Sequence, residues 1–498
     1  MAMPEKACNL MEVRRTMNKE ITQQKDETKP APLTTKQIIW FLVSTVVYVI
    51  LRVIPIAGLS PEGQKALAVL GWVIVALISE CLPSMLITLI FGSAIIVSGV
   101  LTPGQFLTAF GTSPFILIVG LGAVGMGMTR TNLGARMSYL MMKYIGKTPR
   151  LMVLAIMIVG FVIVALIVNL PALLAMCPVI ISILKELDED PETSNLGKAM
   201  FLGLIWAGAG GGLALISSSA TTVAAAAAID TVSEGVAAIS YGQWAVFGIP
   251  IGLAMLIPAW LLLCKWFKIE GKGAKVMEPE VLNAKIKELG RMNAEEMRYA
   301  LILVAMIALF AVGGGFGITP PVVALIFMGI MIMPYIGVIT FDVVQKNTNW
   351  AMCFQMAFFM GFAGAISGTG LGDWLAGTLF GWFQTDNLFI LMLAVILIAH
   401  IGNIVIPGAG ASILLIPSVW AISVNAGYAN SFLPMVLFHV VNWTQFQPIQ
   451  PQYLVVCANS GGYLKIRDFV VPNLIITVIW TVLFIPLAWF LGPIAGLR

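Results

Sequence analysis

The chain has 498 residues, of which 59% are hydrophobic and 10% charged, with a net charge of +4, and its mean hydropathy is +0.95. A soluble protein carries roughly a quarter charged residues, so a water-soluble globular fold is excluded and length here counts membrane spans rather than soluble domains. The basic residues gather in the N-terminal tail, in Arg130–Arg150 and in Lys265–Arg298; the positive-inside rule expects this of cytoplasmic segments, and no nucleic-acid partner is needed to explain it.

In chain order, residues 1–36 are polar, mixed in charge and without the apolar run of a signal peptide, so they read as a cytoplasmic tail. An extra transmembrane helix at 37–57 occupies the segment 37–64. Spans follow at 65–81, 84–101 and 113–129. The stretch 151–184 is apolar but interrupted at Asn169-Leu170-Pro171, with Pro178 nine residues beyond the asparagine. Spans at 199–228 and 242–265 close a first unit, residues 65–265. The basic linker 266–297 contains Glu280–Leu289, which reads as a short surface helix with lysines on its polar face. The second unit, 298–498, has spans at 298–316, 320–336 and 349–370. A second interrupted stretch, 388–426, then breaks at Pro407-Gly408-Ala409-Gly410, with Pro417 nine residues beyond Gly408. Spans at 431–457 and 469–491 complete the chain.

A broken helix in a membrane leaves backbone groups without partners, and it persists only where the break lines a protein-enclosed cavity. Paired interruptions at equivalent places in two halves mark a transporter's binding site. If both stretches are re-entrant hairpins and the tail is inside, Arg130–Arg150, Lys265–Arg298 and Lys465–Arg467 all fall inside. Counting both as full spans puts Lys265–Arg298 outside. The expected fold is therefore an all-α polytopic membrane protein with about eleven transmembrane helices plus two opposed re-entrant hairpins, in inverted-topology repeats. The hairpin at 151–184 opens inward and that at 388–426 outward, with the N-terminus cytoplasmic and the C-terminus outside. The six cysteines form neither a disulfide framework nor a zinc pattern, and read as small buried hydrophobes.

Candidate chemistry gathers at the breaks. Asn169 before Pro171 suits the N-cap of a returning half-helix. The span 199–228 holds a glycine run, 208–212, which reads as close helix packing, and Ser217–Thr222, in which a helix cap and back-bonding to the span's own carbonyls remain alternatives. The span 431–457 carries Gln445, Gln447, Gln450 and Gln452 with two prolines among apolar residues; each unpaired polar group in hydrocarbon costs on the order of several kcal/mol, so a cavity is the economical placement. Half-helix N-termini bind anions through free N–H groups and the helix dipole, without lysine or arginine. The substrate-binding candidates are Asn169, Ser218, Ser219, Thr222, Asn403, Gly408, Gln447, Gln450 and Gln452. His400 and His439, the only histidines, stand as proton or coupling candidates beside a plain structural reading; each has an asparagine three residues on.

Four motifs resemble the divalent anion/sodium symporter family over about residues 65–495. Ile78-Ser79-Glu80-Cys81-Leu82-Pro83 is similar to its W-I-T-E-A-[IL]-P, and Glu288-Leu289-Gly290-Arg291-Met292 to E-L-G-P-M. Thr369-Gly370-Leu371-Gly372-Asp373-Trp374-Leu375 is similar to T-G-L-A-x-W-L, and Ser460 to Asp468 to G-S-G-Y-x-K-I-x-D. The resemblance implies eleven spans with two opposed hairpins, a homodimer, and an elevator motion of the hairpin-bearing part that carries dicarboxylates, citrate or sulfate. It also implies sodium as coupling ion, held near Asn169 and Gly408, with no other cofactor. The family's Ser-Asn-Thr tips fall on Val168-Asn169-Leu170 and Pro407-Gly408-Ala409, so one asparagine remains at the first tip and bare backbone at the second.

The reading that results is a secondary active transporter moving a small organic anion, a carboxylate, across the cytoplasmic membrane, with cation coupling. An anion exchanger or a proton-coupled carrier without sodium dependence is the alternative, with an anion channel behind both. An intramembrane enzyme would need a nucleophile–base pair or a metal motif at depth, and the sequence has none.

Overall fold

The computed structural model describes residues 33–498 apart from 80, 112, 168, 270–275, 349, 381–384, 406–408 and 445–450. Among the described residues every regular element is a helix. In order they are α1 (Thr35–Val53), α2 (Pro61–Ser79), α3 (Ser84–Val97), α4 (Pro103–Thr108), α5 (Ser113–Arg130), α6 (Leu133–Ile145), α7 (Pro149–Leu166) and α8 (Asn169–Glu186). Then come α9 (Asn195–Ala214), α10 (Ala220–Val232), α11 (Tyr241–Trp266), α12 (Pro279–Glu288), α13 (Ala294–Val312), α14 (Pro320–Ile332), α15 (Phe341–Asn347) and α16 (Trp350–Gly368). The last six are α17 (Leu371–Phe380), α18 (Leu388–Val405), α19 (Ala409–Asn425), α20 (Phe432–Trp443), α21 (Pro451–Ala458) and α22 (Val470–Ile494).

Many starts are written in the sequence. Thr34 with Gln37, Thr102 with Gln105, and Ser240 with Gln243 form capping boxes for α1, α4 and α11. Thr148 caps α7 ahead of Pro149, and Asn293 caps α13. The linker segment expected to be a surface helix is α12, with Leu282 buried beneath it.

Among the described residues eight helices are long and apolar enough to cross a membrane, and a ninth if α16 and α17, bent by 78°, count as one. The expected spans at 84–101 and 320–336 are shorter, with 14 residues in α3 and 13 in α14. Those at 199–228 and 431–457 are each divided, into α9 and α10 around Leu215–Ser219, and into α20 and α21 around 444–450. At both places the sequence supplies turn and polar residues where an unbroken helix would want aliphatic ones.

One sequence of elements occurs twice. The interrupted pair α7/α8, the divided helix α9/α10 and the 26-residue α11 are matched by α18/α19, α20/α21 and the 25-residue α22. Packing crosses between the sets. Helix α10 lies against α19, while α21 lies against α8, and α9 touches α20.

The motifs that carry the family resemblance are joints of the fold. Gly290 closes α12 in the left-handed region (φ +67°), and its carbonyl accepts from Arg136 at 2.9 Å. Gly370 (φ +72°) ends α16; beside it Thr369 O accepts from Ser60 at 2.7 Å, and Trp374 donates to Ala57 O at 3.1 Å, which ties the α1–α2 loop to α17. After Gly461 and Gly462, Tyr463 donates to Glu189 O at 2.8 Å. Glu80 lies outside the described residues.

Candidate functional site

The first break is narrow. Ile167 is extended (φ −137°, ψ 153°) at the end of α7, and α8 begins at Asn169. The expected N-cap role does not hold. The Asn169 Oδ1 is buried and takes no hydrogen bond from any described residue, while Nδ2 donates to Gln452 Oε1 at 3.4 Å. Asn169 thus faces across the molecule to α21, in the other half of the chain, instead of closing its own helix.

The glycine run of α9 makes room for this, and here the close-packing expectation is met on three sides. A Cβ on Gly208 would meet Leu173 at 2.8 Å and Asn169 Oδ1 at 3.3 Å, and one on Gly212 would meet Asn169 Nδ2 at 3.7 Å. On another face, a Cβ on Gly211 would lie 2.4 Å from Phe161 O on α7. On the third, Gly210 and Gly252 approach through their backbones, as do Gly248 and Leu213, so α11 packs equally tightly.

Beyond the run, Leu215–Ser219 forms the second polar break of the first half. Ser219 caps α10, accepting from Thr222 N at 3.1 Å, and Thr222 Oγ1 in turn accepts from Ser219 N at 3.2 Å. Thr222 Oγ1 also reaches Ile216 O at 2.7 Å. The Ser218 hydroxyl lies 2.8 Å from Gly212 O and 2.6 Å from Leu215 O. Ser218 and Thr222 are buried, and their hydroxyls hold the break together. Ser219 and Thr221, 2.8 Å apart, are the half-buried pair. Capping and back-bonding, alternatives in the sequence, are therefore both used, by different residues. Thr221 lies inside the run 217–222 but is not among the residues expected at the site.

In the second half, Asn403 donates to Val441 O at 2.5 Å, from α18 to α20. Asn442 donates to Ser412 Oγ at 2.9 Å, from α20 to α19. His400 has Thr444 Oγ1 2.9 Å from Nδ1 and Thr481 Oγ1 2.9 Å from Nε2. His439 is fully buried, with Nδ1 2.9 Å from Met435 O and the rings of Phe247, Phe438, Trp244 and Phe484 centred 5.0, 5.5, 5.8 and 6.3 Å away. That is the setting of a structural histidine. Gly408, Gln447 and Gln450 lie outside the described residues.

Next to Gln452, Tyr453 belongs to a buried cluster that sequence reasoning missed. Its hydroxyl donates to Asn473 Oδ1 at 3.1 Å, and Trp206 Nε1 donates to the same oxygen at 2.9 Å. Indole nitrogen only donates, which fixes the orientation of the Asn473 amide. A lone asparagine near the start of a long apolar helix gives no sequence signal of this role.

Asn169, Ser219, His400, Asn403 and Gln452 have no Asp, Glu, Lys or Arg within five residues on either side in the sequence. An anion there has helix N-termini and neutral donors to bind. A separate cleft of about 190 Å³, lined by Val232, Asp373, Trp420 and Asn425 among others, lies at the C-terminal ends of α10 and α19. It is thus a helix length from the breaks.

Residues 35–496 match the sodium:sulfate symporter transmembrane region. The chain belongs to this family. It is a multi-pass membrane transporter, not an enzyme. Similar members include a putative malate transporter YflS of Bacillus subtilis, 24% identical over 72% of this chain and 75% of that one. The sodium-dependent dicarboxylate transporter SdcS of Staphylococcus saprophyticus is 22% identical over 88% and 87%. That of Staphylococcus aureus strain MRSA252 is 22% identical over 94% and 93%. Among solved structures, the YdaH transporter of Alcanivorax borkumensis aligns over 92% of this chain and 98% of its own, with a TM-score of 0.50 and 14% identity. At that identity the likeness is one of fold. Membership of the symporter family agrees with the resemblance drawn from the four motifs, and the breaks described above fall inside the matched region.

Proposed function

We propose that this symporter-family protein carries a small organic anion, a carboxylate, across the cytoplasmic membrane by alternating access. The observation that carries the reading is the Asn169–Gln452 hydrogen bond, which joins the polar breaks of the two halves through stretches of sequence that carry no charged residue. The ends of α8, α10 and α21 supply N–H groups and positive dipole ends for a carboxylate. The repeated order of elements and the reciprocal packing of α10 on α19 and α21 on α8 support units 65–265 and 298–498 as inverted repeats, with α7/α8 and α18/α19 as hairpins. Homodimer assembly and an elevator movement of the hairpin-bearing part follow from the family resemblance. So do a cytoplasmic N-terminus and an external C-terminus, together with the charge bias.

Sodium is the first coupling ion to consider, since the SdcS relatives are named sodium-dependent. A carrier independent of sodium, proton-coupled or exchanging anions, is the second reading. It is favoured by the loss of the tip hydroxyls at Val168, Leu170, Pro407 and Ala409.

Purified protein is to be heated with mono-, di- and tricarboxylates, with and without sodium, and then assayed for saturable uptake in proteoliposomes. Stabilisation by a carboxylate and uptake driven by an ion gradient are expected. A protein that no carboxylate stabilises and that carries none under any gradient overturns the reading.

A further inference from the structure

We propose that the start of α7 and the end of α11 form a binding site for the headgroup of an anionic phospholipid. The basic segments Arg130–Arg150 and Lys265–Arg298 are far apart in the sequence, and the fold joins them at one point. Arg150, the second residue of α7, donates from Nε to Ile269 O at 2.7 Å. Trp260 of α11 donates to Arg150 O, also at 2.7 Å. Lys147 immediately precedes Thr148, the cap of α7, and Lys265 and Lys268 stand at the end of α11. All four cations are exposed.

The way α11 ends sets the position of Ile269 O. Lys268 N donates to Lys265 O at 3.3 Å and Ile269 N to Cys264 O at 2.9 Å, the pair of bonds that closes a helix through a residue in the left-handed region. That residue is Lys268 (φ +52°), at a position where glycine is the ordinary choice. The Ile269 carbonyl takes the ε N–H of Arg150. The two terminal NH2 groups of the guanidinium have no partner among the described residues, and they form the edge that meets two phosphate oxygens side by side. The Arg150 backbone N–H is at the same place. Thr148 holds Leu151 N through its side chain at 3.3 Å and Met152 N through its carbonyl at 2.8 Å, which leaves Arg150 N open at the positive end of the α7 dipole.

Elsewhere Arg136, Lys285 and Lys465 are paired with Glu296, Glu186 and Glu192. Among the described residues Lys147, Arg150, Lys265 and Lys268 have no ion pair. The positive-inside rule accounts for the presence of such residues. It does not account for a guanidinium pinned by one nitrogen with its fork left open, or for a lysine in left-handed backbone. An apolar track leads away from the cations and makes the occupant a lipid instead of a free phosphate. Leu253, Ile257 and Leu261 are exposed on α11, and at four-residue spacing they share a face that Lys265 continues. Trp266, next to Lys265, and Tyr144, three residues before Lys147, are exposed too, and these aromatic types sit at the level of lipid headgroups. An acyl chain lying on the track brings its phosphate to Arg150 and Lys265, and basic pockets between spans bind anionic headgroups in this way.

Native mass spectrometry of the full-length protein with equimolar dioleoylphosphatidylglycerol and dioleoylphosphatidylcholine reads the site. A phosphatidylglycerol on each chain is expected to survive collision energies that strip phosphatidylcholine. Arg150→Gln and Lys265→Gln should each lower its affinity about fivefold. Arg150→Lys, which keeps the charge and loses the fork, should fall between Arg150→Gln and the parent. Lys287→Gln, which removes the same charge from the exposed side of α12, should change nothing. Equal retention of the two lipids by the unaltered protein overturns the proposal, whether or not the variants fold. A loss in Lys287→Gln as large as that in Arg150→Gln also overturns it, because the preference is then one for charge in general. Displacement of phosphatidylglycerol by millimolar inorganic phosphate would make this a free-phosphate site. A cross-link between two copies of the chain that forms only in Ile257→Cys would mean that a second copy covers the track. Either of these results overturns the lipid reading.

Discussion

At the scale of residues, the position of Asn169 depends on what is missing from Gly208 and Gly212. An alanine at 208 would press on Leu173 at 2.8 Å, a flexible side chain, and on Asn169 Oδ1 at 3.3 Å. Gly208→Ala is therefore expected to fold, with about 1–3 kcal/mol of overpacking cost, and to lower uptake by displacing Asn169 from Gln452. Gly211→Ala meets backbone at 2.4 Å and 3.2 Å, which cannot give without parting α7 from α9, so its loss of thermal stability should be the larger. Gly122→Ala on α5 meets nothing within 4 Å and should be neutral or stabilising by up to about 1 kcal/mol. Asn169→Ala should abolish uptake while leaving the melting temperature close to that of the parent. Unchanged uptake in Asn169→Ala would remove the first tip from the site.

At the scale of elements, the breaks are written in residue types that oppose helix or hydrocarbon, although 199–228 and 431–457 each read as a single span and are divided in the structure. Pro171, the serines at 217–219 and the glutamines with Pro448 and Pro451 each announce an interruption. Their partners were not legible. Nothing in Asn473 marks it as the acceptor that anchors α21, because a buried network is a property of three helices, α9, α21 and α22, brought together only by the fold. Span number was also hard to read, since apolar composition does not distinguish a 14-residue α3 from a full crossing, and α16 bends at Gly370 without losing its apolar character.

The Asn473 network sets the position of Gln452 through its neighbour Tyr453. Asn473→Leu removes an acceptor shared by two buried donors, and each unsatisfied donor costs about 1–3 kcal/mol. Thermal denaturation should show a marked loss in Asn473→Leu. Adding Trp206→Phe and Tyr453→Phe, which remove the stranded donors, should recover part of it. A triple variant less stable than Asn473→Leu by the sum of the separate losses would mean that the three side chains act independently.

At the scale of the whole molecule, the two sets of helices are joined by the linker as well as by reciprocal packing. Arg136 on α6 reaches Gly290 O and Leu289 O and pairs with Glu296 of α13 at 3.0 Å. Helix α6 packs on both α7 and α8, so this guanidinium fastens the linker and the start of the second unit to the first broken pair. Lys285 of α12 pairs with Glu186, at the end of α8, at 2.7 Å. The two contacts differ in kind. In the first, the side chains are 12% and 2% exposed, and in the second 25% and 37%. Breaking a buried pair by removing one charge costs about 3–5 kcal/mol, whereas an exposed pair contributes about 0–1 kcal/mol and is screened by salt. The hydrogen bond from Glu186 holds the Lys285 ammonium above the usual lysine range, so the lysine's contribution is fully present below its ordinary value of about 10.4 and is lost as pH rises through the raised value. Glu296→Gln should therefore lower the melting temperature clearly and at any ionic strength. Lys285→Ala should lower it slightly at low salt and not at all in 0.5 M salt. Hydrogen exchange should then rise across 279–293 in Glu296→Gln with no matching rise in Lys285→Ala. Equal and salt-sensitive losses in both variants would mean that the Arg136 pair is a surface contact, and that the linker is held to the first broken pair by the apolar underside of α12 alone.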